Sequence, residues 1–162
     1  MYEHIKFKNA INMRKANYDK FPSTKLTGML VQGWDSIISM LKEKMDARKV
    51  LAVDLYTGVY EEEVLDAFSK EFSGRVMNVR DLMKPEKEIQ ALTERFMTED
   101  VLFGYVTNLK LEDYLDADKV AAARKQISEA KETIVIIGTG AAVVAPQDAM
   151  VVYADMARWE IQ

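Results

Sequence analysis

Cysteine is missing from all 162 residues, which excludes disulfides, thiol catalysis and cysteine metal sites together. Histidine occurs once, as His4 near the amino end, and one histidine cannot build a histidine-rich metal centre. A solvated side chain is expected there. Long apolar runs are lacking as well. Nothing approaches the roughly 18 apolar residues of a membrane span, and Met1-Tyr2-Glu3-His4-Ile5-Lys6-Phe7-Lys8 has no apolar core of signal-peptide length. The longest candidate, Ile134 to Val144, contains Gly138, Thr139 and Gly140 and reads as a buried strand entering a loop. No excess of one charge sign stands out: the net charge is −4, with both signs mixed along the chain. That argues against a broad surface for nucleic acid or an anionic membrane.

What is present is globular. Hydrophobic residues make up 49% and charged residues 30%, and the length suits one domain able to bury a sizeable core. No repeat or low-complexity tract interrupts it. These features lead to the expectation of a cytoplasmic protein.

Residues 1–28 are polar and irregular. Pro22 disfavours helix at Phe21, so an extended lead-in is expected, with Tyr18, Asp19 and Lys20 either touching a ligand or packing one ring and leaving charges in water. From Trp34 to Met45 the pattern is helical, with Trp34, Ile37, Ile38, Leu41 and Met45 on one face. Gly33 or Asp35 suits its cap. Residues 1–48 are thus a lead-in and first helix packed on the same domain, and 49–162 form the core.

That core begins with Val50-Leu51-Ala52-Val53, a continuous apolar run expected of a strand covered on both faces. A turn at Gly58 follows, then a helix carrying Val64, Leu65 and Phe68. Gly74 suits a helix C-terminus, and Arg75 to Arg80 reads as a second strand. Pro85 suits the start of another helix, with Ile89, Leu92 and Phe96 as its apolar face. Glu99 to Val106 is an apolar stretch broken by Gly104. Ala117 to Ala130 favours helix by composition. Thr133 to Ile137 is the strongest strand signal, Pro146 and Asp148 mark a turn, and Ala149 to Asp155 reads as a further buried strand. Strands alternating with helices predict an α/β fold: three layers, a mostly parallel sheet flanked by helices. Ligand sites in such sheets gather beyond the carboxyl ends of the strands, here Asp54 to Gly58, Gly138 to Gly140, and Asp155.

A strand, a glycine turn and a helix in that order is where phosphate-binding folds place their anion site. The arrangement resembles the uridine-kinase-like branch of P-loop kinases, in which the first strand feeds the phosphate loop. A later hydrophobic strand there ends in glycine, as Ile134 to Gly138 does. A following strand ends in an acidic residue, as Val151 to Asp155 does, with arginine just after, here Arg158. Four segments taken together, Val53 to Val59, Asp100 to Gly104, Leu111 to Leu115 and Ile136 to Ala142, look like the N-terminal kinase-like domain of bacterial class I mannose-6-phosphate isomerase-like proteins. The resemblance spans Tyr18 to Gln162. It implies a C-terminal cupin domain as partner, one that carries the isomerase chemistry and its divalent metal. It also fits the absence of a polar tail at Arg158 to Gln162, which reads as a cut inside a longer protein. No catalytic or metal residue carries over to this chain.

A working phosphate loop needs backbone N–H groups aimed at the phosphates, a lysine, and a magnesium-binding hydroxyl. Val59 and Tyr60 stand where the lysine and hydroxyl belong. Glu61, Glu62 and Glu63 stabilise a first helical turn but would repel a triphosphate, by about 4 kcal/mol per like pair at ~4 Å before screening. The candidate ligand-binding set is Asp54, Tyr56, Thr57, Gly58, Asp100, Gly104, Asp113, Gly138, Thr139, Gly140, Asp155 and Arg158. Asp54 either holds magnesium or acts as a base, or accepts turn N–H bonds, which its context favours. Gly138-Thr139-Gly140 either admits a ligand close to the backbone or gives a sharp exit from a buried strand. Asp155 with Arg158 is either a relic of nucleotide clamping or a surface ion pair worth ~0–1 kcal/mol.

The expected function is a non-catalytic accessory domain that positions, regulates or helps oligomerise an isomerase half. A small phosphorylated or nucleotide ligand would sit at the strand ends. One alternative is an active sugar or nucleoside kinase using Asp54, Asp100 or Asp113; another is an interaction domain forming a homo-oligomer. Nucleic acid and membrane are not expected partners.

Overall fold

The computed structural model describes residues 18, 22–25, 27–100 and 102–157. His4, Asp19, Lys20 and Arg158 lie outside the described residues. The chain divides into two units, Met1–Leu30 and Val31–Gln162. In the first, the described residues form neither helix nor strand, and Tyr18 is exposed.

The second unit holds the α/β fold. Its elements are α1 (Trp34–Met45), β1 (Val50–Leu55), α2 (Glu61–Glu71), β2 (Arg75–Asn78), α3 (Glu86–Thr93), α4 (Ala117–Glu129), β3 (Ile134–Gly138), α5 (Ala141–Val144) and β4 (Met150–Ala154). The four strands form one sheet in the order β2-β3-β1-β4, and every pairing is parallel. β1 registers Val50 on Ile134 toward β3 and Leu51 on Met150 toward β4. Both central strands are the apolar runs of the sequence, buried on two faces as parallel sheets require.

Crossovers between parallel strands are right-handed. β1 to β2 runs one way along the sheet, while β2 to β3 and β3 to β4 run the other. Right-handedness therefore puts α2 on one face and α4 and α5 on the other. Leu51, Val53, Leu55, Val135 and Ile137 pack with α1 and α2. Val50, Ala52, Ile134 and Ile136 pack with α4 and α5. Phe68 anchors the first layer, 1% exposed, with Trp34 edge-on to its ring at 6.5 Å. Burying a side chain of that size contributes ~2–3 kcal/mol.

Four expectations change. β4 is an edge strand half-buried on one face and open on the other: Val151 and Tyr153 are exposed, because α5 has four residues and ends before it can cover them. β2 stops at Asn78, and Val79–Leu82 is a 3-10 turn begun by the Asn78 side chain, which accepts from the Arg80 N–H at 2.8 Å. Gly74 does not end α2 in a left-handed conformation. Phe72 is the cap residue, and Gly74 is required because a Cβ there would lie 2.4 Å from the Thr133 carbonyl oxygen. No residue of α3 is fully buried, so Ile89 and Leu92 form a half-covered face rather than a core face.

Candidate functional site

The loops after β1 and β3 leave toward opposite faces of the sheet, and these two strands are neighbours. That makes their carboxyl ends the switch point, where parallel α/β sheets open a crevice. The first wall is the loop from Tyr56 to Tyr60. It is tied to β4 by the Tyr56 N–H, which donates to the Ala154 carbonyl at 2.9 Å, and closed by Val59 N–H donating to the Tyr56 carbonyl at 3.1 Å. Gly58 takes φ 108°, a left-handed value that suits glycine.

The second wall is the exit of β3. Gly138 and Gly140 both have positive φ; a Cβ on Gly138 would lie 2.9 Å from the Val79 Cβ. The Thr139 hydroxyl donates to the Leu55 carbonyl at 3.0 Å. Asp54 joins the walls. One carboxylate oxygen accepts from the Gly140 N–H at 3.0 Å and the other from the Ala142 N–H at 2.9 Å. Its partners thus come from the neighbouring loop rather than from its own turn.

The third wall is Arg80, just beyond the carboxyl end of β2. Its guanidinium lies 3.3 Å from one oxygen of Glu61, while the other Glu61 oxygen is buried without a hydrogen-bond partner among the described residues. Together the walls enclose an open cleft of about 360 Å³, lined chiefly by Tyr56, Thr57, Gly58, Glu61, Arg80 and Thr139. A larger hollow of about 660 Å³ lies around Asp46 to Val50 and Gln147 to Ala149. It sits at the amino ends of β1 and β4, the end where such sheets do not place their ligands.

Of the candidate residues, Tyr56, Thr57, Gly58 and Thr139 line the cleft. Asp54, Gly138 and Gly140 shape it from behind. Asp100, Gly104 and Asp113 do not line it: Asp100 accepts from the N–H groups of Leu102 and Phe103, Gly104 packs on the Phe96 carbonyl, and Asp113 accepts from the Lys110 N–H at 2.7 Å. Asp155 follows β4 and accepts from the Met156 N–H at 2.8 Å. Glu61, Glu62 and Arg80 line the cleft but were not among the candidates; a charged side chain just beyond a strand's carboxyl end is the signal that points to Arg80.

Negative charge dominates this end of the sheet. Tyr153, beside Asp54 in the β1–β4 register, has its phenol pushed above its ordinary value by loss of hydration, then by Asp155, Tyr56 and Asp54. Among the described residues no group of three or more histidine, aspartate or glutamate side chains is arranged to hold a metal ion. None of the described helices is long and apolar enough to cross a membrane.

Fold and cleft define a parallel α/β domain with an open, acidic crevice at its switch point. The model of a family described as a domain of unknown function, DUF8485, matches residues 33–162, and the chain belongs to that family. No curated protein and no solved structure matches it.

Proposed function

We propose that the chain is a non-catalytic, kinase-like accessory domain, of the kind that precedes the cupin in mannose-6-phosphate isomerase-type proteins. The observation that carries this reading is that the cleft's cation and two N–H groups at the exit of β3 already hold the protein's own carboxylates. The N–H groups of Gly140 and Ala142 donate to Asp54, and Arg80, the cation of the cleft lining, pairs with Glu61. Glu61, Glu62 and Glu63 fill the first turn of α2, so the helix dipole there is offset by local charge. A triphosphate would have to displace these partners and would meet no lysine in the loop. Isomerase chemistry and its metal belong, on this reading, to the cupin partner.

A ligand role is a second reading, supported by the cleft's place at the switch point and its size. A small phosphorylated or nucleotide ligand would compete with Glu61 for Arg80. Titration calorimetry of the chain with ATP, UTP and mannose 6-phosphate, with and without magnesium, separates the readings. No heat leaves the accessory role alone. Binding that Arg80→Ala abolishes supports the ligand role. Magnesium-dependent phosphate transfer to a sugar or nucleoside, lost in Asp54→Ala, would overturn the non-catalytic reading.

A further inference from the structure

The ion pair across the cleft is incomplete on both sides. A guanidinium presents its N–H donors as a planar fork that matches the paired oxygens of a carboxylate or phosphate. Arg80 makes only an end-on contact, from one terminal nitrogen to one Glu61 oxygen at 3.3 Å. Its side chain is 70% exposed, which leaves the rest of the fork open to solvent.

Glu61 is placed the other way round. Its side chain is 21% exposed, and its second oxygen is buried with no hydrogen-bond partner among the described residues. A carboxylate oxygen denied both water and a donor is destabilised, so this position is held against a cost. Its neighbours in the first turn of α2 carry no such cost. Glu62 is exposed, and Glu63 accepts from the Trp34 indole N–H at 3.0 Å.

We propose that Glu61 is an autoinhibitory latch, which occupies Arg80 until a ligand bearing a single phosphate or carboxylate group takes the guanidinium in its place. This inference rests on the ligand reading given above and assigns its regulation. The exchange is favourable on both sides. The incoming oxyanion brings paired oxygens to a fork that Glu61 meets with one. Glu61, the first residue of α2, is freed to turn toward water, which supplies donors to the oxygen that has none. The latch also selects for low charge. Glu62 remains in the lining, so every negative charge beyond the one that Arg80 neutralises meets repulsion.

Chemical-shift titration of the isotope-labelled chain with inorganic phosphate, at constant ionic strength, tests the latch. Glu61→Gln should bind phosphate about three- to tenfold more tightly than the wild type, because it removes both a weak competing pair and a like charge. Adding Arg80→Ala to that variant should abolish the gain. Glu62→Gln, which removes the same charge without opening a latch, should gain less. With no ligand present, phenylglyoxal should modify Arg80 faster in Glu61→Gln than in the wild type, as read by peptide mass spectrometry. Equal phosphate affinity in the wild type and Glu61→Gln overturns the latch and leaves the ligand reading standing. So does an equal gain in Glu62→Gln, or an unchanged rate of Arg80 modification. Phosphate that binds neither chain also overturns the latch, and the calorimetry above then decides the ligand reading on its own.

Discussion

A carboxylate with both oxygens on backbone N–H groups is hard to replace, and Asp54 is such a group. Hydrogen bonds to a charged side chain contribute ~1.5–3 kcal/mol, and an N–H left without its acceptor costs further where water cannot reach it. One of these two bonds is part-buried and the other exposed, so Asp54→Ala should lower stability by about 2 kcal/mol, with an unchanged denaturant slope, as read by urea unfolding. Asp54→Asn should recover part of this, since the amide keeps one acceptor and turns an NH₂ toward the other N–H. Tyr153 gives a pH signature. Its phenol loses its proton at a higher pH in the folded chain than in the unfolded one, so the folded state binds more protons there and stability falls as pH rises through the ordinary value near 10. Subtracting a tyrosinate absorbance titration of Tyr153→Phe from that of the wild type should isolate a late-ionising group, and Asp155→Asn should move it back down. With Tyr153 more than half exposed, the effect on stability is modest.

Among the elements, the exit of β3 is the least tolerant. Gly138→Ala would hold a Cβ at φ 134° and drive it against Val79. Strain and overpacking each cost ~1–3 kcal/mol, so a loss of about 2–4 kcal/mol is expected in thermal or urea unfolding, together with disturbance of the Thr139 wall. Much of the architecture was legible beforehand. The apolar runs of β1 and β3 and the helical spacing of α1 and α2 come from burial, which periodicity reports directly, while α4 was legible from its composition. Less legible were features set by neighbours. α5 hides within an apolar run because a four-residue helix has no period to detect. The exposure of Val151 and Tyr153 depends on where α5 ends, not on β4's own residues, and Gly74 answers to Thr133, far along the chain. In the site, Tyr56, Thr57, Gly58 and Thr139 were legible as strand-end residues. Asp100 and Asp113 looked equally suitable in sequence, yet each satisfies the N–H groups of its own loop.

At the scale of the whole molecule, the two layers are separate apolar clusters sharing one sheet, and the cleft is where the connections to those layers part. The same geometry that opens the crevice also brings the acidic groups together, since the strands are parallel and all their carboxyl ends point one way. Arg80 offsets only part of that charge.

The all-parallel sheet also constrains how this chain emerges from synthesis. β1 pairs only with β3 and β4, and 84 residues separate Leu55 from the Thr139 hydroxyl that closes on it. When Val50 to Leu55 leaves the ribosome, neither strand partner yet exists. Its apolar run must wait through the translation of α2, β2, α3 and α4, which at ~5–20 residues per second lasts for several seconds. Early in that interval, before α4 is made, α1 and α2 are the helices able to shelter it. Their packing on one side of β1 is therefore a safeguard for the nascent chain as well as half of the finished core.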